Sequence, residues 1–175
     1  MVAVILADRY SNQTIEKILL HYKKHEINNI VICQSSNVER IEEDDKNGQS
    51  IIVAKIGKYD KYLEQLQRIK NLIEENEFFI TFGDNFCDVD LNNLYKFHKN
   101  SGRVASIATV KRENCLYNAG FMIFDTDIFD YITPKMKELE KDLLARIGQD
   151  DEISYYVYCG KAQNIFTKRK IYQIN

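Results

Sequence analysis

Phe78-Phe79-Ile80-Thr81-Phe82-Gly83-Asp84-Asn85 is an apolar run that ends abruptly at a glycine and a carboxylate. Such a run is typical of a strand that is covered on both faces of its sheet. In open α/β sheets, ligands bind at the carboxyl ends of the strands, which is where Asp84 would lie. A carboxylate at that edge can hold a hard cation such as Mg²⁺, and the cation in turn binds phosphate oxygens. The run therefore predicts an α/β fold and makes Asp84 a candidate metal ligand.

On both sides of this run, strand patterns alternate with helical patterns, which indicates an α/β fold. Apolar runs predict strands at residues 2–7, 29–34, 51–54, 104–110, 117–124, 153–158 and 164–172. Apolar side chains at helical spacing predict helices around residues 15–22, 59–73, 91–102, 125–129 and 133–147. Asp88 or Asp90 is expected to cap the third of these helices and Asp125 the fourth, and Pro134 is expected to open the last. Residues 35–50 are polar and acidic, and we predict a mobile surface segment there.

The chain has 175 residues, of which 45% are hydrophobic and 29% are charged. This size and composition suit one domain with its own core, so we expect a single domain over residues 1–175. The formal net charge of −2 gives no electrostatic reason to bind nucleic acid or an anionic membrane, and neither is expected as a partner. No apolar run approaches the roughly 18 residues of a membrane-spanning helix.

The cysteines and histidines show no metal-binding pattern. The four cysteines lie at least 28 residues apart, and the three histidines form no H-E-x-x-H arrangement. We therefore expect reduced thiols and no zinc site. Residues 1–7 are too short for a signal peptide and lack its basic flank, so a cytoplasmic protein is predicted.

Several segments follow one another in the order found in a known family. Residues 2–7 match its opening strand, residues 15–33 its next helix and strand, and residues 79–99 give the strongest match. Residues 117–124 are similar to the family's Asn-Gly-Gly-Phe strand, and residues 140–144 lie where it carries Glu-x-Glu-Pro-Leu. On these motifs the chain resembles the sugar-1-phosphate nucleotidyltransferases, most closely the glucose-1-phosphate cytidylyltransferase branch.

The resemblance implies a Rossmann-like fold of the nucleotide-diphospho-sugar transferase type. Its mostly parallel sheet would be flanked by helices in a single truncated domain. Enzymes of this family join a nucleoside triphosphate to a sugar-1-phosphate and release pyrophosphate, and Mg²⁺ held by carboxylates offsets the developing charge. A nucleotide or a sugar phosphate is therefore the implied ligand, and Mg²⁺ is the implied cofactor if a site is retained.

The resemblance also implies roles for individual residues. Asp84 would be the first Mg²⁺ ligand, Asn118 and Glu140 would contact sugar hydroxyls, and Arg9 would be the catalytic cation. Ala7 and Asp8, at the end of the first strand, would lie against the substrate. The residues alone leave other roles open. An Asp after a Gly is also typical of a turn or a helix cap. Asn118 has the residue type of a turn, and Glu140 that of a solvent-exposed helix surface.

The chain departs from the family pattern where the phosphates would bind. The family has a glycine-rich loop with an Arg after the first strand and a Lys-Pro soon afterwards, and backbone N–H groups of that loop cradle the triphosphate. Here the predicted helix follows Asp8 and Arg9 at once, and no glycine occurs before Gly48. Asp8 also brings a negative charge toward the phosphates. The family's second metal-binding Asp falls on Phe166, which cannot ligate Mg²⁺.

Three hypotheses follow from this mixture of retained and missing motifs. The first is a degenerate nucleotidyltransferase-like domain that binds a nucleotide or sugar phosphate weakly and transfers slowly or not at all. The second is an active enzyme in which Arg9, Lys111 and Arg112 replace the lost loop. The third is a non-catalytic binding or regulatory partner, as a homo- or hetero-oligomer, of another protein that handles sugar nucleotides.

Overall fold

Nine of the strands in the computed structural model form one mixed sheet. The structure describes residues 1–7, 12–36, 40–57, 61–84, 86–112, 115–159, 162–163 and 170–171. The strands of this sheet are β1 (Val2–Ala7), β2 (Asn29–Ser36), β3 (Arg40–Lys46), β4 (Gln49–Gly57), β5 (Glu77–Phe82), β7 (Ala105–Arg112), β8 (Cys115–Asp125), β9 (Ile153–Val157) and β11 (Lys170–Ile171). The short strands β6 (Phe86–Cys87) and β10 (Ala162–Gln163) pair with each other.

The strand order is β3-β4-β2-β1-β5-β8-β7-β9, and β11 pairs with β8. Strand β1 lies between β2 and β5 and is parallel to both. Strands β2 and β4 are parallel, as are β7 and β9, whereas β8 runs antiparallel to its neighbours β5 and β7. The sheet is therefore mostly parallel. The chain first builds outward from one side of β1 and then places β5 on its other side, which makes a topological switch point between β1 and β5.

Helices cover both faces of the sheet. Helices α1 (Asn12–Lys24) and α3 (Leu91–Ser101) pack on one face, against a core that includes Ile5 and Phe79. The other face, which includes Leu6 and Phe82, packs against four helical segments. These segments are α2 (Tyr62–Arg68), a 3₁₀ helix (Thr126–Tyr131), a π-helical segment (Leu139–Leu144) and α4 (Ala145–Gln149), and a further 3₁₀ turn spans Lys70–Leu72. The predicted α/β class, with a mostly parallel sheet flanked by helices, is confirmed.

The helices that the structure describes are all too short or too polar to cross a membrane.

Residues 35–36 and 40–50 lie in β2, β3, β4 and a hairpin turn, so the predicted mobile segment over residues 35–50 is wrong for them, and residues 37–39 lie outside the described residues. Strand β3 pairs with β4 in an antiparallel hairpin whose turn is Asn47-Gly48. Both turn residues have positive φ angles, 59° at Asn47 and 74° at Gly48, as a type I′ hairpin turn requires. The Asn-Gly dipeptide was the available signal, and the acidic character of the flanking residues obscured it. An acidic strand at the edge of a sheet also discourages pairing with another molecule.

Two helix predictions also need correction. The helix predicted from Thr133-Pro134 begins only at Leu139, because the Asp142 carboxylate accepts the backbone N–H groups of Lys137 (2.7 Å) and Glu138 (2.9 Å) and fixes the start there. The helix predicted over residues 59–73 is regular only over Tyr62–Arg68.

The predicted caps have mixed outcomes. Asp90 caps α3, since its carboxylate accepts the N–H of Asn93 at 2.9 Å, and the helix ends at Gly102 with a φ angle of 61°. Asp125 precedes the 3₁₀ helix but makes no side-chain cap, because its carboxylate contacts His98 instead. The strand predicted over residues 164–172 is seen only as Lys170–Ile171, since residues 164–169 and 172 lie outside the described residues.

A buried hydrogen bond joins α1 to the middle of the sheet. The hydroxyl groups of Tyr22 and Thr81 bond to each other, and both side chains are fully buried. Burial raises the pKa of Tyr22, so the phenol stays neutral and remains able to donate a hydrogen bond. The bond therefore fixes α1 over β5, next to the strand end that carries Asp84.

We predict that Tyr22→Phe destabilises the fold by about 1–3 kcal/mol, because the Thr81 hydroxyl loses its partner inside the core. Thr81→Val should cost a similar amount. The double variant should be more stable than the sum of the two changes predicts, since both polar groups are then gone. Urea unfolding of all four proteins measures this coupling, and additive losses would contradict it.

Candidate functional site

The carboxyl ends of β1 and β5 meet at the switch point. The backbone N–H of Gly83 donates a hydrogen bond of 2.8 Å to the carbonyl oxygen of Leu6, so the two chains stay paired up to their ends. Ala7, the last residue of β1, therefore lies beside Gly83, and Asp84 follows directly. Ala7 is buried and Asp84 is half-buried. Two of the predicted site residues, Ala7 and Asp84, are thus brought together at the carboxyl ends of neighbouring strands.

Gly83 permits a close approach between three elements. A methyl group at this position would lie 3.1 Å from the Ala7 Cβ and 3.2 Å from the Ile15 Cδ1. Both distances are tighter than ordinary contacts between side chains, and Ile15 belongs to the first turns of α1. The absent side chain at Gly83 therefore sets the spacing between the end of β5, the end of β1 and the beginning of α1.

The backbone is held on the other side of Asp84 as well. Strand β6 begins only two residues later, and Cys87 and Phe86 pair with Ala162 and Gln163 of β10. Cys87 is fully buried, and burial raises the pKa of its thiol to about 12, so it behaves as a small apolar residue. Asp84 therefore lies in a short connection between two paired strands, β5 and β6.

A buried histidine supports the segment after Asp84. His21 of α1 donates from Nε2 to the carbonyl oxygen of Val89 at 2.9 Å and packs edge-on against Phe86 and Phe121. Burial is the main cause that lowers the pKa of His21 below its usual 6.5. The neutral ring is therefore favoured in the folded protein. Sequence reasoning gave His21 no role, although its position between the apolar residues Ile18 and Tyr22 on α1 was a signal of burial.

The structure satisfies both polar groups of Asn118 inside the chain. Asn118 is 2% exposed on β8. Its Oδ1 accepts the backbone N–H of Gly120 at 2.8 Å, and its Nδ2 lies 3.4 Å from the sulfur of Met122. These bonds are those of a residue that shapes its own strand, next to the irregularity where β8 pairs with Thr109 of β7. A contact between Asn118 and a sugar hydroxyl stays a prediction.

The other predicted contacts lie on a different element or outside the described residues. Glu140 is half-buried on the π-helical segment, whose neighbours Leu139 and Leu143 pack into the core on the α2 face. Its contact with a sugar also stays a prediction. Asp8, Arg9 and Phe166 lie outside the described residues.

The remaining candidate cations lie on a different strand from Asp84. Lys111 and Arg112 are exposed at the carboxyl end of β7, and β8 separates that strand from β5. Strands β5 and β7 are two strand spacings apart, about 10 Å. Lys111 and Arg112 therefore lie at the same end of the sheet as Asp84 but not directly beside it.

We predict that Gly83→Ala destabilises the protein by about 1–3 kcal/mol, because the new methyl group overpacks the contact with Ala7 and Ile15. Denaturant unfolding measures the loss. The double variant Gly83→Ala, Ala7→Gly should recover part of it, since the nearest Cβ is removed. Strictly additive losses in this pair would show that the close approach is not the cause.

We also predict that stability falls as the pH drops through about 6.5, where the unfolded chain gains a proton on His21 that the folded protein resists. Because the folded protein has the lower His21 pKa, this group adds to the free energy of unfolding above about pH 6.5, and its contribution is lost as the pH falls below that value. The slope from this group is at most about 1.4 kcal/mol per pH unit. His21→Gln keeps an N–H donor without titrating, so its unfolding free energy should change less between pH 7.5 and 5.5. Equal slopes for both proteins would contradict this.

No protein-family model matches the chain. Among curated proteins, the probable glucose-1-phosphate cytidylyltransferase of Bacillus subtilis is 20% identical over 134 residues, which cover 63% of this chain and 53% of the relative. The glucose-1-phosphate cytidylyltransferase of Salmonella typhimurium is 23% identical over 133 residues, covering 62% of this chain and 52% of the relative. The chain thus spans about half the length of the curated relatives it matches.

Solved structures match over most of the chain. A Bacillus anthracis protein assigned as a glucose-1-phosphate thymidylyltransferase, in complex with sucrose, superposes with a TM-score of 0.73 at 13% identity and covers 93% of this chain and 89% of its own. HddC from Yersinia pseudotuberculosis, complexed with GMP-PN, gives a TM-score of 0.70 at 12% identity and covers 96% of this chain and 95% of its own. The chain therefore has weak sequence homology to glucose-1-phosphate cytidylyltransferases and the fold of sugar-1-phosphate nucleotidyltransferases.

Proposed function

We propose that this protein binds a nucleoside triphosphate or a sugar phosphate at the switch point between β1 and β5, and that it transfers the nucleotidyl group slowly or not at all. One observation carries the proposal. Gly83 brings the ends of β1 and β5 together and leaves the Asp84 carboxylate at the edge where open α/β sheets bind ligands.

The relatives support the class of ligand. The curated relatives are glucose-1-phosphate cytidylyltransferases, and two structures of the same fold hold sucrose and GMP-PN. A nucleotide and a sugar phosphate are the two substrates that such transferases join. We extend that pair to this chain.

The carboxylate at the site suits a Mg²⁺ ion that is held partly by the protein and partly by the phosphates of a bound substrate. Mg²⁺ prefers oxygen donors and is often held by one or two carboxylates together with substrate phosphates and water. Asp84 supplies one such carboxylate. Among the residues that the structure describes, Asp84 belongs to no group of three metal-ligating side chains. When bound, Mg²⁺ would offset the charge of the phosphates, so we expect Mg²⁺ to bind well only together with a phosphorylated ligand.

The short connection after β1 supports slow transfer. Strand β1 ends at Ala7 and α1 begins at Asn12, so only Asp8-Arg9-Tyr10-Ser11 lies between them. This stretch contains no glycine, whereas a loop whose backbone N–H groups surround a triphosphate is glycine-rich. Loss of a single preorganised donor at a charged transition state costs about 10²–10³ in rate. Loss of the whole loop removes several donors.

A second candidate function is an active transferase with rebuilt phosphate contacts. The exposed Lys111 and Arg112 at the end of β7 favour it, because they share the sheet edge with Asp84. In that case these cations, with Arg9, would neutralise the triphosphate. Loss of turnover in a Lys111→Ala, Arg112→Ala variant that still folds would support this second function.

We also propose a cytoplasmic location. The four cysteines are free thiols, and Cys33 and Cys87 are fully buried in the core. Free cysteines are the rule in reducing compartments, where disulfides rarely persist.

A thermal-shift and calorimetric screen with CTP, other triphosphates and sugar-1-phosphates, each with and without Mg²⁺, tests the binding. We expect one triphosphate to raise the melting temperature only with Mg²⁺, because ligand binding stabilises the native state by mass action. Asp84→Asn should abolish the shift. Asp44→Asn, which changes an exposed Asp on β3, is the matched control and should keep it. An unchanged shift in Asp84→Asn would contradict the proposed site.

Pyrophosphate release in the same mixtures tests the rate. We expect no release above background at enzyme concentrations that give saturated binding. Release at ordinary enzyme rates would contradict slow transfer and favour the second candidate function.

A further inference from the structure

We propose that Glu77, His98 and Asp125 form a second, separate site for a divalent cation of the Zn²⁺ class. It lies at the amino end of β5, whereas Asp84 follows the carboxyl end of the same strand. Each of the three offers one ligand atom, and these atoms all lie within 4.8 Å of one another. The sequence predicted no zinc site, because the three residues come from three different elements and show no ligand spacing.

Strand register places the two carboxylates side by side. Glu77 is the first residue of β5 and pairs directly with Asp125, the last residue of β8. Like charges at directly opposite positions of an antiparallel pair repel each other. Their side chains are 16% and 33% exposed, so water screens this repulsion only in part. A cation between the two carboxylates would offset it.

The last turn of α3 supplies the third ligand. His98 is 2% exposed, and its Nε2 lies 3.0 Å from Asp125 Oδ1. A tetrahedral Zn²⁺ with ligand bonds of about 2.0–2.1 Å holds its ligand atoms about 3.4 Å apart. The observed separation is slightly shorter than that value, and the Glu77 ligand atom lies within 4.8 Å of both atoms, so small side-chain movements let the three ligands meet on one ion.

A chain of hydrogen bonds orients the His98 ring. Nδ1 lies 2.9 Å from the Ser106 hydroxyl, which lies 2.7 Å from the Ser154 hydroxyl, and Ser154 donates to the carbonyl oxygen of Ala105 at 3.3 Å. With that last bond made, Ser106 donates to Ser154 and accepts from Nδ1. Nδ1 then carries a proton, and Nε2 is the nitrogen that faces Asp125, where a metal ion would take the place of the Nε2 proton. Histidines that bind metals are oriented in this way by an acceptor on the other nitrogen.

Lys99 occupies part of the site as a competitor. Its ammonium group bonds to Glu77, and its side chain is 54% exposed. Glu77 also accepts a hydrogen bond from Tyr95. Because an exposed lysine can swing into solvent at little cost, a divalent ion can replace it while Tyr95 still holds the carboxylate.

The donor set defines the class of ion. One imidazole and two carboxylates suit Zn²⁺ and similar first-row ions better than Mg²⁺, which prefers oxygen donors alone. Three protein ligands leave a fourth position for water. The ion would fasten α3 to β5 and β8. Six residues lie between Glu77 and Asp84, and in extended chain this separation is about 20 Å, so the two sites are independent.

Co²⁺ titration followed by visible absorption, with Zn²⁺ displacement and calorimetry, tests the site in an Asp84→Asn background. The Asp84→Asn change removes the carboxylate of the proposed nucleotide site. Cobalt binding in this variant therefore reports on the Glu77–His98–Asp125 site alone, and the two proposals can fail separately. We expect one saturable Co²⁺ site with the absorption bands of tetrahedral cobalt, displaced by Zn²⁺. The affinity should fall at least 10-fold in Glu77→Gln and in Asp125→Asn. It should fall about 10–100-fold in Ser106→Ala, which touches no metal.

Lys99→Met separates a metal site from a purely structural ion-pair cluster. Removal of the competing ammonium group should tighten Zn²⁺ binding. Asp44→Asn is the control and should leave it unchanged. Absence of saturable binding in both the parent and Lys99→Met proteins would overturn the proposal. Equal affinities in the parent, Glu77→Gln and Asp125→Asn proteins, with circular dichroism showing that all are folded, would also overturn it.

Discussion

The parallel pairing of β1 with β5, continued to the Gly83–Leu6 hydrogen bond, is the constraint on which the rest of the structure depends. It brings two strand ends together at the switch point. The pairing holds because apolar residues of both strands are buried on both faces, with Ile5 and Phe79 under α1 and α3, and Leu6 and Phe82 under α2. At its end the pairing is close because Gly83 has no side chain to press on Ala7 and Ile15. The site is therefore a consequence of core packing.

Strand β5 organises both ends of the molecule. Its carboxyl end leads to Asp84 beside β1, and its amino end places Glu77 opposite Asp125 of β8. The first arrangement needs a parallel neighbour and the second an antiparallel one, and β5 has one on each side. The position of β5 where the pairing changes direction thus explains how one strand serves two candidate sites of different chemistry. One end offers the Asp84 carboxylate, and the other combines an imidazole with two carboxylates.

The sequence was a good guide where burial alone determines the structure. The apolar runs at residues 2–7 and 78–82 predicted β1, β5 and the edge on which Asp84 lies, because few other structures bury so many consecutive apolar residues. The hairpin of β3 and β4 was missed because charged residues dominate it and only Asn47-Gly48 marks the turn. Apolar spacing on α3 also gives no sign that His98 is buried, although it is more buried than its apolar neighbour Phe97.

The polar contacts were harder to predict, because they depend on distances between elements far apart in sequence. Asp125 was expected to cap a helix, but its carboxylate contacts His98, 27 residues away. The amide of Asn118 bonds to Gly120 and Met122 of its own strand, which are contacts that the sequence pattern did not predict. Local patterns show which residues can bond, whereas the partner that each one takes depends on strand register and helix packing.

The proposed binding site at the junction of β1 and β5 is best tested by a crystal structure of the protein with Mg²⁺ and a non-hydrolysable triphosphate. The analogue should be that of the nucleotide that binds tightest. The account predicts phosphate density at the junction of β1 and β5, with a Mg²⁺ ion between a phosphate oxygen and the Asp84 carboxylate. Nucleotide density bound elsewhere, with the Asp84 edge unoccupied at saturating ligand, would contradict it.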